Sequence, residues 1–183
     1  METNLCVAGF GGQGVMTLGK FLATATCNST DKNVTFFPSY GAEQRGGTAN
    51  CYVVISDDMV GAPLGDVMDD LIVMNGPSLQ KFLHTLKSGG TLFINSSIVD
   101  ADLVERTDIS IVKAPVTELA LEMGNAKVLN VIMLGVYIGY TNVIEPEIVW
   151  NVIEQKLAKT TKLLPLNKAA FEKGIEIGNE QRK

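Results

Sequence analysis

The sequence predicts a three-layer α/β/α sandwich built on a parallel or mixed sheet, and three observations support this fold class. Short apolar runs alternate with stretches whose apolar residues recur every three or four positions, as expected for buried strands followed by helices. The chain has 183 residues, which is enough for one full hydrophobic core. No internal repeat, low-complexity tract or linker interrupts it. We therefore expect a single domain over residues 1–183.

The composition excludes several classes of protein. Apolar residues make up 46% of the chain and charged residues 19%, which is typical of a globular protein. The net charge of −5 argues against nucleic acid binding, and the absence of a Lys- or Arg-rich tract argues against an anionic membrane surface. The first residues do not resemble a signal peptide, and no apolar run is long enough for a membrane helix. These features predict a cytoplasmic protein without membrane insertion.

The cysteines and the single histidine limit the metal and catalytic sites that the chain can build. Cys6, Cys27 and Cys51 are far apart and form no CxxC pair, so we expect no iron–sulfur cluster or structural zinc within this chain. An odd number of cysteines fits a reducing cytoplasm. His84 lies in a polar helical pattern, which favours a surface residue over a member of a Ser-His-Asp triad.

Apolar periodicity predicts the elements individually. The predicted strands are Leu5–Ala8, Val34–Phe37, Asn50–Ser56, Leu71–Met74, Thr91–Asn95 and Ile109–Val112. The predicted helices are Gly14–Cys27, Ser78–Leu86, Pro115–Met123, Lys127–Tyr140, Glu145–Leu157 and Lys168–Gln181. Pro38 is expected to end the second strand, and Ser88-Gly89-Gly90 to end the second helix as a C-cap. Residues 34–56 contain two strands without a helix between them, which predicts a local hairpin or a long excursion.

Two further segments carry a specific expectation. The helix Lys127–Tyr140 is apolar on nearly every side, and a small domain seldom encloses such a helix, so we expect part of it to contact another subunit. The acidic pairs 57–58 and 69–70 could suggest metal binding. Their positions at strand edges favour solvated turn carboxylates instead.

The first glycine-rich motif, Gly9-Phe10-Gly11-Gly12-Gln13-Gly14, fits the pattern G-x-G-x-x-G between a predicted strand and a predicted helix. Such a turn directs backbone N–H groups and a helix N-terminus outward, so the first β-loop-α unit is Rossmann-like and suits an anion. A dinucleotide site also needs an acidic residue at the end of the second strand, and none stands there. The pattern is incomplete for a nicotinamide or flavin dinucleotide, and the glycines can equally serve close strand–helix packing. The candidate residues are Gly9, Gly11, Gly12, Gln13 and Gly14.

The second glycine-rich stretch, residues 38–51, lies between two apolar runs. Arg45 precedes the pair Gly46-Gly47, and a planar guanidinium beside accessible backbone N–H groups suits a carboxylate or a phosphate. An ordinary surface loop with a solvated Glu43 and Arg45 is the alternative. The candidate residues are Ser39, Tyr40, Gly41, Glu43, Arg45, Gly46, Gly47 and Thr48.

The two glycine motifs together resemble those of the gamma subunit of 2-oxoacid:ferredoxin (or acceptor) oxidoreductases. The segment Gly-Ala-Glu-Gln-Arg-Gly-Gly-Thr at 41–48 most resembles the 2-oxoglutarate enzymes. The resemblance extends over most of the chain. It includes residues 75–78 (Asn-Gly-Pro-Ser), residues 89–92 (Gly-Gly-Thr-Leu), residues 115–118 (Pro-Val-Thr-Glu) and Asn130.

This resemblance implies a role in a complex that decarboxylates a 2-oxoacid and releases an acyl-CoA. Thiamine diphosphate, Mg and iron–sulfur clusters would belong to the alpha, beta and, where present, delta subunits, with CoA as co-substrate and ferredoxin or a similar protein as electron acceptor. This chain would be the gamma component, inactive alone and without a catalytic residue or metal of its own. Its loop Tyr40–Thr48 would line the active-site side or the CoA approach at a subunit interface. The alternative is a free-standing α/β protein that binds a dinucleotide or a phosphate at Gly9–Gly14.

Overall fold

A six-stranded sheet forms the centre of the molecule in the computed structural model, which describes residues 1–40, 48–61 and 67–182. Its strands lie in the order β2-β3-β1-β4-β5-β6. The strands are β1 (Glu2–Phe10), β2 (Asn33–Tyr40), β3 (Thr48–Ser56), β4 (Met68–Val73), β5 (Leu86–Asn95) and β6 (Ser110–Ala114). The helices are α1 (Val15–Ser29), α2 (Gly76–Phe82), α3 (Val116–Glu122), α4 (Leu129–Thr141), α5 (Pro146–Leu157) and α6 (Leu164–Gln181). None of these helices is long and apolar enough to cross a membrane.

The sheet is mixed, and its direction changes at β3. Strands β1, β4, β5 and β6 run parallel, whereas β3 lies antiparallel between β1 and β2. The predicted hairpin over residues 34–56 is therefore confirmed. We call the side on which the four parallel strands end the carboxyl edge and the opposite side the amino edge. Because β3 is antiparallel to both β1 and β2, β2 ends and β3 begins at the carboxyl edge.

The prediction that Pro38 ends the second strand is wrong. Strand β2 continues to Tyr40, and Pro38 pairs with Cys51 of β3. Proline is tolerated because β2 is the edge strand of the sheet, where a missing N–H need not break a ladder on both sides.

Helices cover the two faces of the sheet unequally. Side chains alternate between the faces along β1, so Leu5 and Val7 enter the larger core with α1, α4, α5 and α6, whereas Cys6 and Ala8 enter the smaller one. The smaller core is closed by the short helix α2 and by a 3₁₀ segment after β5. The predicted α/β fold is confirmed, with one thick and one thin helical layer.

Helix α4 is enclosed by this chain itself. Its residues Asn130–Gly139 are all buried, between the sheet and helix α6. Gly135 and Gly139 face Gly174 and Gly178 so closely that a Cβ at Gly135 would lie 2.3 Å from the Phe171 carbonyl oxygen. Four glycines at i, i+4 spacing let the two helix backbones meet without side chains between them. The expectation that part of Lys127–Tyr140 contacts another subunit is therefore wrong for Asn130–Gly139, which this chain buries itself.

The segment after α2 also differs from the prediction. The helix ends at Phe82, a 3₁₀ turn covers Leu83–Thr85, and β5 begins at Leu86. Ser88-Gly89-Gly90 is therefore not a helix C-cap but part of a β-bulge, where the register of β5 shifts against β4 and Gly89 has a φ of 76°. His84 lies in the 3₁₀ turn and is exposed, as expected of a surface residue.

Candidate functional site

The carboxyl edge contains a crevice between β1 and β4. The chain leaves β1 toward α1 on the thick layer, and it leaves the adjacent parallel strand β4 toward α2 on the thin layer. In open α/β sheets, ligands bind at such a switch point, outside the carboxyl ends of the strands. The loop Gly9–Gly14 and the segment Asn75–Ser78 border this crevice.

The glycine loop requires its glycines for two different reasons. Gly12 and Gly14 have φ values of 97° and 73°, the left-handed region in which side chains other than glycine are strained. Gly14 also precedes the first residue of α1, and a Cβ there would lie within 2.9 Å of Asn130. Gly11 and Gly12 are exposed, so their backbone is open to a ligand from outside.

Gln13 points inward and fills the crevice. Its Oε1 accepts hydrogen bonds from the Phe10 N–H at 2.7 Å and from Asn75 Nδ2 at 3.0 Å, while its Nε2 donates to the Met74 carbonyl at 3.0 Å. A Cβ on Gly9 would lie 2.8 Å from Gln13 Oε1, so Gly9 makes room for this amide. The structure therefore makes Gln13 a residue that positions the loop rather than one that faces a ligand.

Further neutral polar side chains follow β4 and β5 at the same edge. Asn75 caps α2 by accepting from the Ser78 N–H at 2.9 Å, and Asn95 Nδ2 donates to Thr117 Oγ1 at 2.9 Å. The Ser78 hydroxyl and Asn95 Oδ1 are buried without a hydrogen-bond partner in the described part of the chain. An unpaired buried group of this kind costs about 1–3 kcal/mol, so an added polar group would be stabilised here.

The second candidate loop has its two flanking strand ends at the same edge as the first loop. Phe10 at the end of β1 pairs with Thr48 at the start of β3, which joins the glycine loop to the base of the second loop. Ser39 pairs with Asn50, and Tyr40 pairs with Ala49, so both lie at the same edge. Gly41, Glu43, Arg45, Gly46 and Gly47 lie outside the described residues.

Lys81 is a residue of this edge that sequence reasoning missed. Its Nζ donates to Thr48 Oγ1 at 3.1 Å and lies 5.2 Å from the centre of the Phe82 ring. The residue is exposed on α2. No signal in the sequence could have found it, because only the packing of α2 on the thin layer brings residue 81 to residue 48.

The strand order disfavours a dinucleotide at Gly9–Gly14. Strand β2, which follows α1, runs parallel to β1 but is separated from it by β3. Two strand spacings of about 4.8 Å place its end roughly 10 Å from β1, twice the distance of the neighbouring strand in a dinucleotide fold. The crevice is moreover occupied by Gln13.

The described residues of this edge suit binding and orientation rather than proton transfer. The groups that form its hydrogen-bond network are amides and hydroxyls, which do not titrate near neutral pH. Across residues 1–40, 48–61 and 67–182, no group of three His, Cys, Asp or Glu side chains could hold a metal ion. Cys6 and Cys51 lie on opposite faces of the sheet and Cys27 lies on α1, so the cysteines do not form the ligand set of a cluster.

Curated relatives of the chain are subunits of 2-oxoacid oxidoreductases. Ketoisovalerate oxidoreductase subunit VorA of Methanothermobacter marburgensis is 36% identical over 177 residues, which cover 96% of this chain and 36% of VorA. The 2-oxoglutarate synthase subunit KorC of Methanocaldococcus jannaschii is 30% identical over 181 residues, which cover 98% of this chain and 96% of KorC. The chain thus spans about a third of the length of VorA and nearly all of KorC.

Solved structures share the fold. The 2-oxoglutarate:ferredoxin oxidoreductase of Magnetococcus marinus, solved with 2-oxoglutarate, coenzyme A and succinyl-CoA bound, matches with a TM-score of 0.90 and 25% identity, over 98% of this chain and 31% of that chain. The gamma subunit of the keto/oxoacid ferredoxin oxidoreductase of Geobacter sulfurreducens has a TM-score of 0.86 at 24% identity, over 100% and 99% of the two chains. The family model of pyruvate ferredoxin/flavodoxin oxidoreductase matches residues 4–177. The resemblance carried by the two glycine motifs is confirmed, and the chain belongs to the pyruvate ferredoxin/flavodoxin oxidoreductase family.

Proposed function

We propose that this chain is the gamma component of a 2-oxoacid:ferredoxin oxidoreductase that converts 2-oxoglutarate or a related 2-oxoacid into its acyl-CoA. Alpha and beta subunits, and a delta subunit where present, complete the complex and hold thiamine diphosphate, Mg and the iron–sulfur clusters. Ferredoxin or a similar protein accepts the electrons. Membership of the family and the likeness to KorC over nearly its whole length support this assignment.

The observation that carries the proposal is the convergence of both glycine motifs at one edge. Phe10 and Thr48 are paired, and Lys81 contacts Thr48 from the other side. The loop that contains Arg45 therefore starts from a base fixed by the sheet and by the hydrogen bonds of Gln13. In this role the chain contributes a rigidly based loop to the active site, and the chemistry takes place on the cofactors of its partners.

Arg45 is the residue that we assign to an anionic group. Its guanidinium and the neighbouring Gly46-Gly47 backbone suit either the distal carboxylate of 2-oxoglutarate or a phosphate of CoA. Lys81 adds a second positive charge at the base of the same loop. The ketoisovalerate in the name of VorA has no distal carboxylate, so under the first of these assignments it would lack the group that Arg45 binds.

Steady-state kinetics of the complex reconstituted with its alpha and beta subunits test this role. Arg45→Lys keeps the charge but loses the planar fork, so the Michaelis constant for one substrate should rise about ten- to a hundredfold. Varying the 2-oxoacid and CoA separately identifies the anion, because only one of the two constants should change. Comparing 2-oxoglutarate with 2-oxoisovalerate then tests the distal carboxylate directly.

Two variants serve as controls. Glu43→Gln should leave both constants unchanged if Arg45 meets a substrate, whereas equal small losses of stability in Glu43→Gln and Arg45→Gln would indicate an ion pair that shapes the loop. Lys162→Gln removes an exposed charge from the 3₁₀ turn before α6 and should have no kinetic effect. Unchanged constants for both substrates in Arg45→Lys and Arg45→Gln would eliminate the anion role.

A further inference from the structure

A second cavity lies at the amino edge of the sheet, on the side opposite the glycine loops. Its volume is about 590 Å³, within the range of small-molecule sites. The first residues of β1, β4 and β5 line it together with the carboxyl end of α4. It shares none of its lining residues with the candidate site at the carboxyl edge.

Asp70 is the buried charge of this cavity. The residue is only 8% exposed, which corrects the expectation that residues 69–70 are solvated turn carboxylates. Its Oδ2 accepts a hydrogen bond at 3.0 Å from the hydroxyl of Tyr137, which is completely buried. Burial raises the pKa of Asp70 to about 6, so the carboxyl group is still mostly ionised above neutral pH.

The nearby cations are engaged elsewhere. Lys87 pairs with Asp69, while Lys32 and the amino group of Met1 both pair with Asp57 at 2.9 Å. Asp70 forms no ion pair with any residue in the described part of the chain. A buried carboxylate without a cationic partner is unfavourable by several kcal/mol, and a cation in the adjoining cavity would relieve that cost.

The wall of the cavity formed by the end of α4 also favours a positive charge. Residues Tyr140–Val143 form the carboxyl end of α4, which carries the negative end of the helix dipole and has no basic residue in its last turn. Tyr140 adds an aromatic side chain, and the hydroxyls of Thr3 and Thr91 can accept hydrogen bonds. Within the described ranges no three acidic, Cys or His side chains come together as a metal site.

We propose that this cavity binds an organic ammonium or guanidinium group, with Asp70 as its counter-ion. An N–H donor on the ligand fits the carboxylate and the hydroxyls, and the apolar side chains of Ile55 and Val143 accommodate a short alkyl chain. The site lies a full strand length from the glycine loops. Its occupant would therefore be an effector rather than a substrate of the proposed reaction, and it does not depend on that reaction.

Titration of the full-length chain with n-butylammonium tests the proposal. Calorimetry at pH 7.5 should give a dissociation constant of about 1 mM or tighter. Butyrate and n-butanol at the same concentration and ionic strength should not bind, since they lack the positive charge. Asp70→Asn should weaken binding at least tenfold, whereas Asp102→Asn, which removes an exposed carboxylate elsewhere, should bind as the native chain does.

The pH dependence of binding supplies a second measurement. Protonation of Asp70 should weaken butylammonium binding about tenfold between pH 7.5 and pH 5. The other titratable groups that face Asp70 or line the cavity are Tyr137 and Tyr140 of α4, Asp69 of β4, Lys87 of β5, Glu2 of β1, Lys32 and the amino group of Met1. Any of three results would overturn the proposal. These are equal binding of n-butanol, unchanged binding in Asp70→Asn, and no binding to the native chain at a butylammonium concentration ten times the expected dissociation constant.

Discussion

The two edges of one sheet are held together by different kinds of interaction. At the carboxyl edge the contacts that hold the glycine loop are neutral: the amide of Gln13 bridges β1 and β4, and Asn75 and Asn95 extend the network. At the amino edge the contacts are charged: Asp69 pairs with Lys87, and Asp70 is buried beside Tyr137. A neutral network fixes a backbone loop to the same extent at every physiological pH. A charged one changes with pH and with salt.

This difference means that only the amino edge should respond to changes in pH. The glycine loop is held by hydrogen bonds that are insensitive to proton concentration, and Phe10 of that loop pairs with Thr48 at the base of the proposed substrate loop. The amino edge stores an unfavourable charge, and anything that neutralises it stabilises the fold. Measurements of stability can therefore test the comparison without knowledge of any ligand.

The largest effect is expected at the glycine loop. Gly14→Ala forces a side chain into a φ of 73° and against Asn130, so we expect the free energy of unfolding to fall by about 2–4 kcal/mol. Urea denaturation measures this change. Gly11→Ala is the matched control, because no atom lies within 4 Å of its Cβ position. Similar losses in both variants would show that the loop is not packed as described.

Asp70→Asn should stabilise the chain, by an amount that depends on pH. Burial raises the pKa of Asp70 from 3.8 to about 6, so the folded chain holds this proton more tightly than the unfolded chain. Protonation of Asp70 therefore stabilises the folded chain; this contribution is complete below pH 4 and is lost as the pH rises through 6. The variant should therefore match the native chain near pH 4 and exceed it by up to about 3 kcal/mol at pH 8. A difference that is constant across this range would refute the assignment.

Gln13→Ala should destabilise the chain by about 1–3 kcal/mol, because three hydrogen bonds are lost, two of them across the crevice, and water replaces part of them. Unlike the effect of Asp70→Asn, this loss should be the same at pH 5 and pH 8. Gln155→Ala on the exposed side of α5 is the control and should have little effect. A marked pH dependence in Gln13→Ala would contradict the description of the carboxyl edge as a neutral network.

The smallest effect belongs to the exposed ion pairs of the amino edge. Asp57 pairs with Lys32 and with the amino group of Met1, both at 2.9 Å, and these contacts hold the pKa of Asp57 at about 2. Asp57→Asn should lower stability only slightly, and the loss should vanish in 1 M salt because exposed charges are screened. Thermal denaturation at low and high salt makes the comparison.

The strands and the glycine motifs could be predicted from local patterns. Short apolar runs bounded by turn residues indicate buried strands, and a glycine turn between a strand and a helix has few alternatives. The errors arose where a distant neighbour decides the structure. In the sequence alone, Gly89 and Gly90 resemble a helix C-cap, but pairing with β4 makes them part of strand β5. Asp70 likewise resembles a surface residue, but Tyr137 of α4 covers it.

The site was predictable only in part for the same reason. The loop residues carry a recognisable order along the chain, whereas Lys81 joins them only through the packing of α2. Gln13 belonged to the predicted loop, but its inward direction depends on Met74 and Asn75, about sixty positions away. The spacing of Gly135, Gly139, Gly174 and Gly178 was visible in the sequence and could have indicated that α4 and α6 pack on each other.

The glycine contact between α4 and α6 has a consequence for synthesis on the ribosome. Helix α4 is almost entirely apolar, and its outer side is covered only when residues up to Gly178 of α6 have left the exit tunnel. Until then the nascent chain exposes a fourteen-residue hydrophobic segment, about forty positions before its cover, to chaperones and to other nascent chains. Nascent chains that expose α4 while α6 is still unmade or inside the tunnel should therefore be aggregation-prone, and chains from which the whole of α6 has emerged should be compact.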